Sequence, residues 1–217
     1  MIYKRHPTID HYLYKVRLHT EPYTTNVLGK DIIVYPYVMS PKYDRSSRIF
    51  ISMMPNQKGK DFLEIGSGCG IVSVFAALTG ARHIVATDIN EYATQNTKEN
   101  FELHNIRNAT VIKSDLFQNI RGTFDTIFFN APFHGNKPMD ILEKGTSDNG
   151  YNTLKRFFGT VSQFLKPHGE ILLGFSDMSD IQLLEQLIKN NSFKIKDLKS
   201  EQNGDWTAYF YTIIKSN

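Results

Sequence analysis

Apolar residues in this chain recur in two rhythms. Phe62–Ile65, His83–Thr87, Ala109–Ile112, Phe124–Phe129 and Glu170–Phe175 are short, rich in branched or aromatic residues, and read as buried strands. Between them, Ile71–Thr79, Glu91–His104 and Tyr151–Leu165 carry apolar residues at helical spacing, with Asn90 as the expected N-cap of the second. Ser179–Asn190 does the same, with Ile181, Leu184, Leu187 and Ile188 on one stripe behind Ser179 or Asp180. Strand and helix in alternation predict a largely parallel sheet with helices on both faces. The C-terminal end breaks the rhythm: Phe193–Leu198 and Trp206–Ile214 are separated only by Lys199–Asp205, which is too short for a helix and carries Asn203-Gly204. Those two strands must therefore pair antiparallel.

Before the alternating core, Thr25–Val34 reads as a hairpin turning at Leu28-Gly29-Lys30-Asp31, and Asp44–Met54 as a helix with Ile49, Phe50 and Met53 inward. The expected organisation is a prelude over residues 1–58, covering the site, and a core over 59–217. The 217 residues with 41% hydrophobic content suffice for one well-buried core. No run is apolar for long enough to cross a bilayer, and Met1–His6 lacks the pattern of a secretory signal, so a cytoplasmic location is expected.

Charge changes this picture only at the start. Lys4, Arg5, Lys15, Arg17 and Lys30, against Asp10 and Glu21, place the whole net charge of +3 in the first thirty residues. Tyr3, Tyr12, Tyr14 and Tyr23 interleave with them, as in a segment able to meet an acidic or nucleic-acid partner. The more ordinary outcome for such a charge run is a solvated, partly mobile arm. Cys69 is the single cysteine, which excludes an internal disulfide and a thiol-rich metal site; no metal is expected.

The candidate chemistry begins at Asp61–Ser73, where Gly66, Ser67, Gly68 and Gly70 join a strand to a helix. Glycines at these positions let a ligand lie against bare backbone, and a helix N-terminus attracts a carboxylate. The dinucleotide fingerprint would need its third glycine at Ile71, which disfavours a nicotinamide-dependent oxidoreductase. Glu64 precedes the loop and is placed to accept from an ammonium group or an ordered water. Asp88, ending the next strand beside Ile89 and Asn90, suits a ribose diol. Asp115, after the third strand, suits an exocyclic amine, with Ile89 and Leu116 gripping an adenine ring. Three acids at three successive strand ends describe a nucleoside joined to an amino acid.

The fourth strand ends in Asn130-Ala131-Pro132-Phe133. The Asn130 side-chain oxygen and the Ala131 carbonyl are placed to accept two hydrogens of a substrate amide or amine, with Phe133 stacked on its plane. His134, next in sequence, is a candidate substrate contact, and Gly135–Gly150 is long enough to be a mobile substrate cover.

On these residues the chain resembles the class I S-adenosyl-L-methionine-dependent methyltransferases. Leu63-Glu-Ile-Gly-Ser-Gly-Cys-Gly70 matches their first motif, Ala86-Thr-Asp-Ile-Asn90 the ribose-binding strand end, and Ser114-Asp-Leu-Phe117 the adenine-side motif. Within that superfamily it looks most like the branch that methylates a release-factor glutamine, an rRNA guanine or an adenine, with Ala131 where the branch carries its first proline. The resemblance implies an α/β, Rossmann-like, doubly wound and mostly parallel seven-stranded sheet with an antiparallel C-terminal edge strand. It also implies S-adenosyl-L-methionine as cofactor and a protein, RNA or small-molecule methyl acceptor. In such relatives the segment Ser40–Ser47 folds over the methionine end of the cofactor, which brings Tyr43, Asp44 and Ser47 into the candidate site. Oxygen or carbon as acceptor, and a binding module without turnover, remain the alternatives.

Overall fold

A computed structural model describes residues 6–216. Helix α1 (Pro7–Arg17) comes first, then the hairpin β1 (Tyr23–Val27) and β2 (Lys30–Val34), and helix α2 (Ser46–Met53). The core follows as β3 (Asp61–Ile65), α3 (Ile71–Leu78), β4 (His83–Asp88), α4 (Glu91–Leu103), β5 (Ala109–Lys113) and β6 (Phe124–Asn130). Helix α5 (Asn152–Thr160), β7 (Leu165–Ser176), α6 (Ile181–Asn190), β8 (Phe193–Asn203) and β9 (Trp206–Lys215) complete it.

The seven-stranded sheet has the order β5-β4-β3-β6-β7-β9-β8. Strands β3 to β7 are parallel, and β9 runs antiparallel to both of its neighbours, β7 and β8. Alternate residues of each strand feed two cores. Leu63, Ile127, Phe129 and Leu173 pack with Leu154, Phe157 and Leu184 of α5 and α6 on one face. Phe62, Ile84, Phe128 and Leu172 pack with residues of α2, α3 and α4 on the other. The strand order reverses direction between β3 and β6, and their carboxyl ends form a crevice there, where open α/β sheets bind ligands.

The small hairpin turns on Leu28-Gly29, both left-handed (φ 50° and 79°), two residues tighter than its sequence suggests. Buried asparagines of α4 stitch it to the core: Asn100 Oδ1 accepts the Ile33 amide at 2.9 Å, while Asn100 Nδ2 donates to Ile33 O and Cys69 O. The hairpin is thereby held against the glycine loop.

The N-terminal arm is the main correction, because residues 7–17 are helical rather than a solvated arm. Pro7 occupies the first turn, and Ile9, Tyr12, Leu13 and Val16 are buried in a cluster with Leu142. Lys4, Arg5 and Tyr3 lie outside the described residues. At the other end, β8 continues to Asn203, so the β8–β9 turn is only Gly204-Asp205 and the hairpin tip reaches the cleft. Helix α5 starts one residue after Tyr151 and gives way at Val161 to a short 3-10 turn.

Candidate active site

The carboxyl ends of β3, β4 and β6 open into a cleft of about 640 Å³, a volume typical of small-molecule sites. Its floor is the glycine loop. Gly66, Gly68 and Gly70 all adopt left-handed φ (70°, 56° and 77°), which a side chain would strain. They differ in what surrounds them. A Cβ on Gly68 would meet nothing within 4 Å, whereas one on Gly70 would strike Thr97 Cγ2 at 2.7 Å. Gly66, Ser67 and Gly68 line the cleft. Gly70, expected as a ligand contact, does not line it and serves the packing of the loop on α4.

Asp88 lies across the loop from Gly68. Its Oδ2 accepts the Gly68 amide at 2.9 Å and its Oδ1 accepts the Asn90 amide at 2.8 Å. Asn90 caps α4 as expected, accepting from Tyr92 N, and donates its side-chain amide to Tyr37 O at 2.8 Å. Desolvation raises the Asp88 pKa, opposed by the backbone amides of Asn90 and Gly68. Glu64 is buried but lines the cleft, and it accepts from the backbone amide (2.9 Å) and hydroxyl of Ser73 in the first turn of α3. The helix needs this, because its N-cap, Gly70, has no side chain. Burial pushes the Glu64 carboxyl up to about 8, with Ser73 opposing and Asp88 adding to the rise. Burial likewise pushes the Cys69 thiol up to about 12, which leaves it no nucleophilic role.

At the far end, Ile89, Asp115 and Leu116 line one corner together with Arg156 of α5, whose Nη2 donates to Asp115 Oδ2 at 3.0 Å. At the near end, Asn130, Pro132 and Phe133 line the wall below β6. Asn130 Oδ1 is buried and has no hydrogen-bond partner among the described residues. The Phe133 ring packs 6.0 Å from Trp206 and edge-on to Phe175, and its carbonyl accepts from Ser179 Oγ (2.6 Å) and Tyr151 Oη (3.3 Å). Those two hydroxyls fix the backbone that follows Asn130.

Two residues expected at this end are placed otherwise. Ala131 is buried and absent from the cleft wall, its amide donating to Gly174 O at 3.3 Å. His134 is 3% exposed and also off the wall, its backbone paired with Thr146 and Asp148 beneath the following loop. The loop over it, expected as a mobile substrate cover, folds inward: Leu142, Glu143, Thr146, Ser147 and Asp148 are all buried.

The roof contains residues with no obvious motif. Thr8, Ile9 and Tyr12 of α1 line the cleft, as do Asn203, Asp205 and Trp206 of the hairpin tip. Thr8 Oγ1 donates to Asp205 Oδ2 at 2.9 Å, and Arg17 donates to Asp140 (2.8 Å) and Glu143 (2.9 Å), so α1 is tied down at both ends. Tyr12 Oη accepts the Ser40 amide at 2.6 Å, which fastens the Ser40–Ser47 segment beneath it. Tyr43, Asp44 and Ser47 of that segment line the cleft, Tyr43 Oη lying 2.5 Å from His19 Nε2. The apolar spacing of Ile9, Tyr12, Leu13 and Val16 was the signal for α1; at the hairpin tip Asn203-Gly204 marked the turn, but nothing in the sequence marked its reach into the cleft.

This donor set fits S-adenosylmethionine. The glycine floor is open at Gly68, the carboxylates of Asp88 and Asp115 line the cleft at successive strand ends, and Asn130 Oδ1 is a buried acceptor in its wall with no partner among the described residues. Residues 34–199 match the family model described as methyltransferase small domain. A candidate protein N5-glutamine methyltransferase of Methanocaldococcus jannaschii is 33% identical over 175 residues, covering 77% of this chain and 87% of the relative. The ribosomal protein L11 methyltransferase of Lactobacillus johnsonii is 30% identical over 149 residues, 69% of this chain, but the match spans only 41% of that longer protein. Among solved structures, the T. thermophilus 16S rRNA N2 G1207 methyltransferase in complex with AdoMet and guanosine aligns with TM-score 0.65 at 18% identity, over 91% of this chain and 50% of the other. A Pyrococcus furiosus methyltransferase aligns with TM-score 0.65 at 20% identity, over 95% of both chains. Both share the fold. The chain belongs to the methyltransferase small-domain family and is an S-adenosylmethionine-dependent methyltransferase.

Proposed function

We propose that this enzyme methylates a planar nitrogen, the side-chain amide of a glutamine in a protein. The observation that carries the reading is Asn130 Oδ1, a buried acceptor in the cleft wall with no partner among the described residues. Leaving such an atom unpaired costs about 1–3 kcal/mol, which an N–H delivered by the acceptor offsets. The shape of this end supports a slender amide over a flat base. Phe133 and Trp206 lie tilted at 47° with ring centroids 6.0 Å apart and form no parallel slot. The M. jannaschii relative, matched over most of both chains, supports the same acceptor.

Bound S-adenosylmethionine supplies an electrophilic methyl on a sulfonium; this chain's residues act by placement. Asp88 accepts the ribose hydroxyls and Asp115 the exocyclic amine, while Gly66–Gly68 presents bare backbone to the amino-acid portion. Asn130 accepts one N–H of the acceptor, which turns the nitrogen lone pair into the cleft. Phe133, with its carbonyl anchored by Ser179 and Tyr151, backs the amide plane. Tyr43 and Ser47 flank the acceptor, and residues 6–58, the described part of the expected prelude over 1–58, act as the cover that excludes water. No strong base is needed, since the nitrogen releases its proton to water or a neighbouring carbonyl.

A cytoplasmic reaction is part of the same proposal; separately, no described helix is long and apolar enough to cross a membrane. The cations of the prelude offer a second point of contact: Lys42 lies 5.3 Å from the ring centres of Tyr23 and Tyr43, and Lys15 lies 5.8 Å from that of Tyr43. The test is incubation with methyl-labelled cofactor and cell extract, followed by separate protease and ribonuclease digestion. Label released by protease and recovered as methylglutamine is the expected result; label in RNA, in small molecules or on oxygen overturns the reading.

A further inference from the structure

We propose that Arg156 is a positioning residue which, through Asp115, makes the cofactor site select adenine. Asp115 sits on a stretch whose backbone is fixed. Leu116 is held left-handed at φ 51°, a conformation that costs a leucine roughly 1–2 kcal/mol. Ser114 Oγ locks it there, donating to Leu116 O at 2.8 Å and accepting the Asn119 amide at 3.1 Å. The Asp115 side chain has no such restraint of its own. It is 31% exposed, and the Arg156 guanidinium is its one side-chain partner among the described residues.

A carboxylate only accepts hydrogen bonds. With Oδ2 drawn to one guanidinium N–H, the carboxylate is held toward α5 and Oδ1 remains for the ligand, at the corner shared with Ile89 and Leu116. The exocyclic amine of adenine donates to such an atom. Hypoxanthine carries a carbonyl oxygen at the same position, and two acceptors face each other. Released from Arg156, the carboxylate turns toward water and loses this discrimination. An exposed ion pair adds at most about 1 kcal/mol to folding, so the role is one of selectivity and not of stability.

Calorimetry with S-adenosylhomocysteine and S-inosylhomocysteine tests this on the full chain without turnover. Wild type should prefer the adenine compound. Arg156→Ala should weaken its binding about tenfold, the weight of one charge-assisted hydrogen bond, while changing the inosine compound less, so the ratio collapses. Arg156→Lys, which keeps charge but loses the planar fork, should recover only part of the ratio. Asp115→Asn, whose amide also donates, should move the preference toward the inosine compound. Arg156→Gln carries the same expectations if the alanine variant does not fold, as judged by thermal melting. An unchanged ratio in the folded variant, or tighter binding of the adenine compound, overturns the proposal, because the ion pair would then merely close the corner.

Discussion

Gly68 donates its backbone amide to Asp88 Oδ2 over 2.9 Å, so the residue proposed to accept the ribose hydroxyls also holds the glycine floor. On that proposal, cofactor recognition and loop geometry depend on one carboxylate. Asp88→Ala removes both, and binding of S-adenosylhomocysteine should fall beyond detection by calorimetry. Asp88→Asn preserves one acceptor and should retain weak binding. Full affinity in the alanine variant would remove Asp88 from the site.

The glycines of that loop should separate by experiment. Gly70→Ala forces a left-handed alanine against Thr97 and should lower stability by about 2 kcal/mol or more, visible as a reduced melting temperature. Gly68→Ala meets open space and should cost only about 1 kcal/mol of backbone strain, yet its methyl enters the cleft where the proposed function puts the amino-acid portion of the cofactor. The folded Gly68→Ala protein should have lost cofactor binding. Equal melting temperatures for the two variants would show that Thr97 yields.

Glu64 should leave a signature in the pH dependence of stability. Its carboxyl sits at about 8 in the folded chain against an ordinary value of 4.5. Between those values the folded state holds a proton that the unfolded state has released, so stability falls as pH rises through the window. Glu64→Gln lacks that proton equilibrium. The melting temperature of wild type relative to Glu64→Gln should be highest below about pH 5 and should decline up to about pH 8. Parallel curves would mean that Glu64 is charged in the folded protein throughout.

Arg17 is the latch of the roof. Asp140 is half exposed and contributes little, but Glu143 is fully buried, and removing Arg17 takes away a charged partner of that carboxylate while the Met139 amide, donating at 2.9 Å, remains. Arg17→Ala should lower the melting temperature by a few degrees and expose residues 135–150 to limited proteolysis. It should raise the KM for the methyl acceptor more than the Kd for S-adenosylhomocysteine. Unchanged proteolysis would show that the loop is held without α1.

Much of this arrangement was legible in the sequence where the signal is local. The strand-helix alternation gave the parallel core, and Asn90, Asp88, Asp115 and Asn130 stand at strand ends because parallel strands bring like ends together. The legible part stopped where the determinant is distant or ambiguous. The α1 stripe was obscured by interleaved lysines, arginines and tyrosines, and the Lys199–Asn203 extension of β8 is exposed and polar, with no alternation to reveal it. Arg156 meets Asp115 across 41 positions, and no local pattern announces such a pair. His134 follows the Asn130 motif directly, but the loop over it folds inward and buries it, which adjacency in sequence does not convey.

The most direct measurement pairs binding with turnover in Asn130→Ala. With Asn130 holding the acceptor nitrogen, the variant should bind S-adenosylhomocysteine within about threefold of wild type while label transfer falls by roughly a hundredfold or more, the scale of a lost positioning contact. Turnover within a few fold of wild type at unchanged binding would contradict the role assigned to Asn130 and, with it, the assignment of the acceptor.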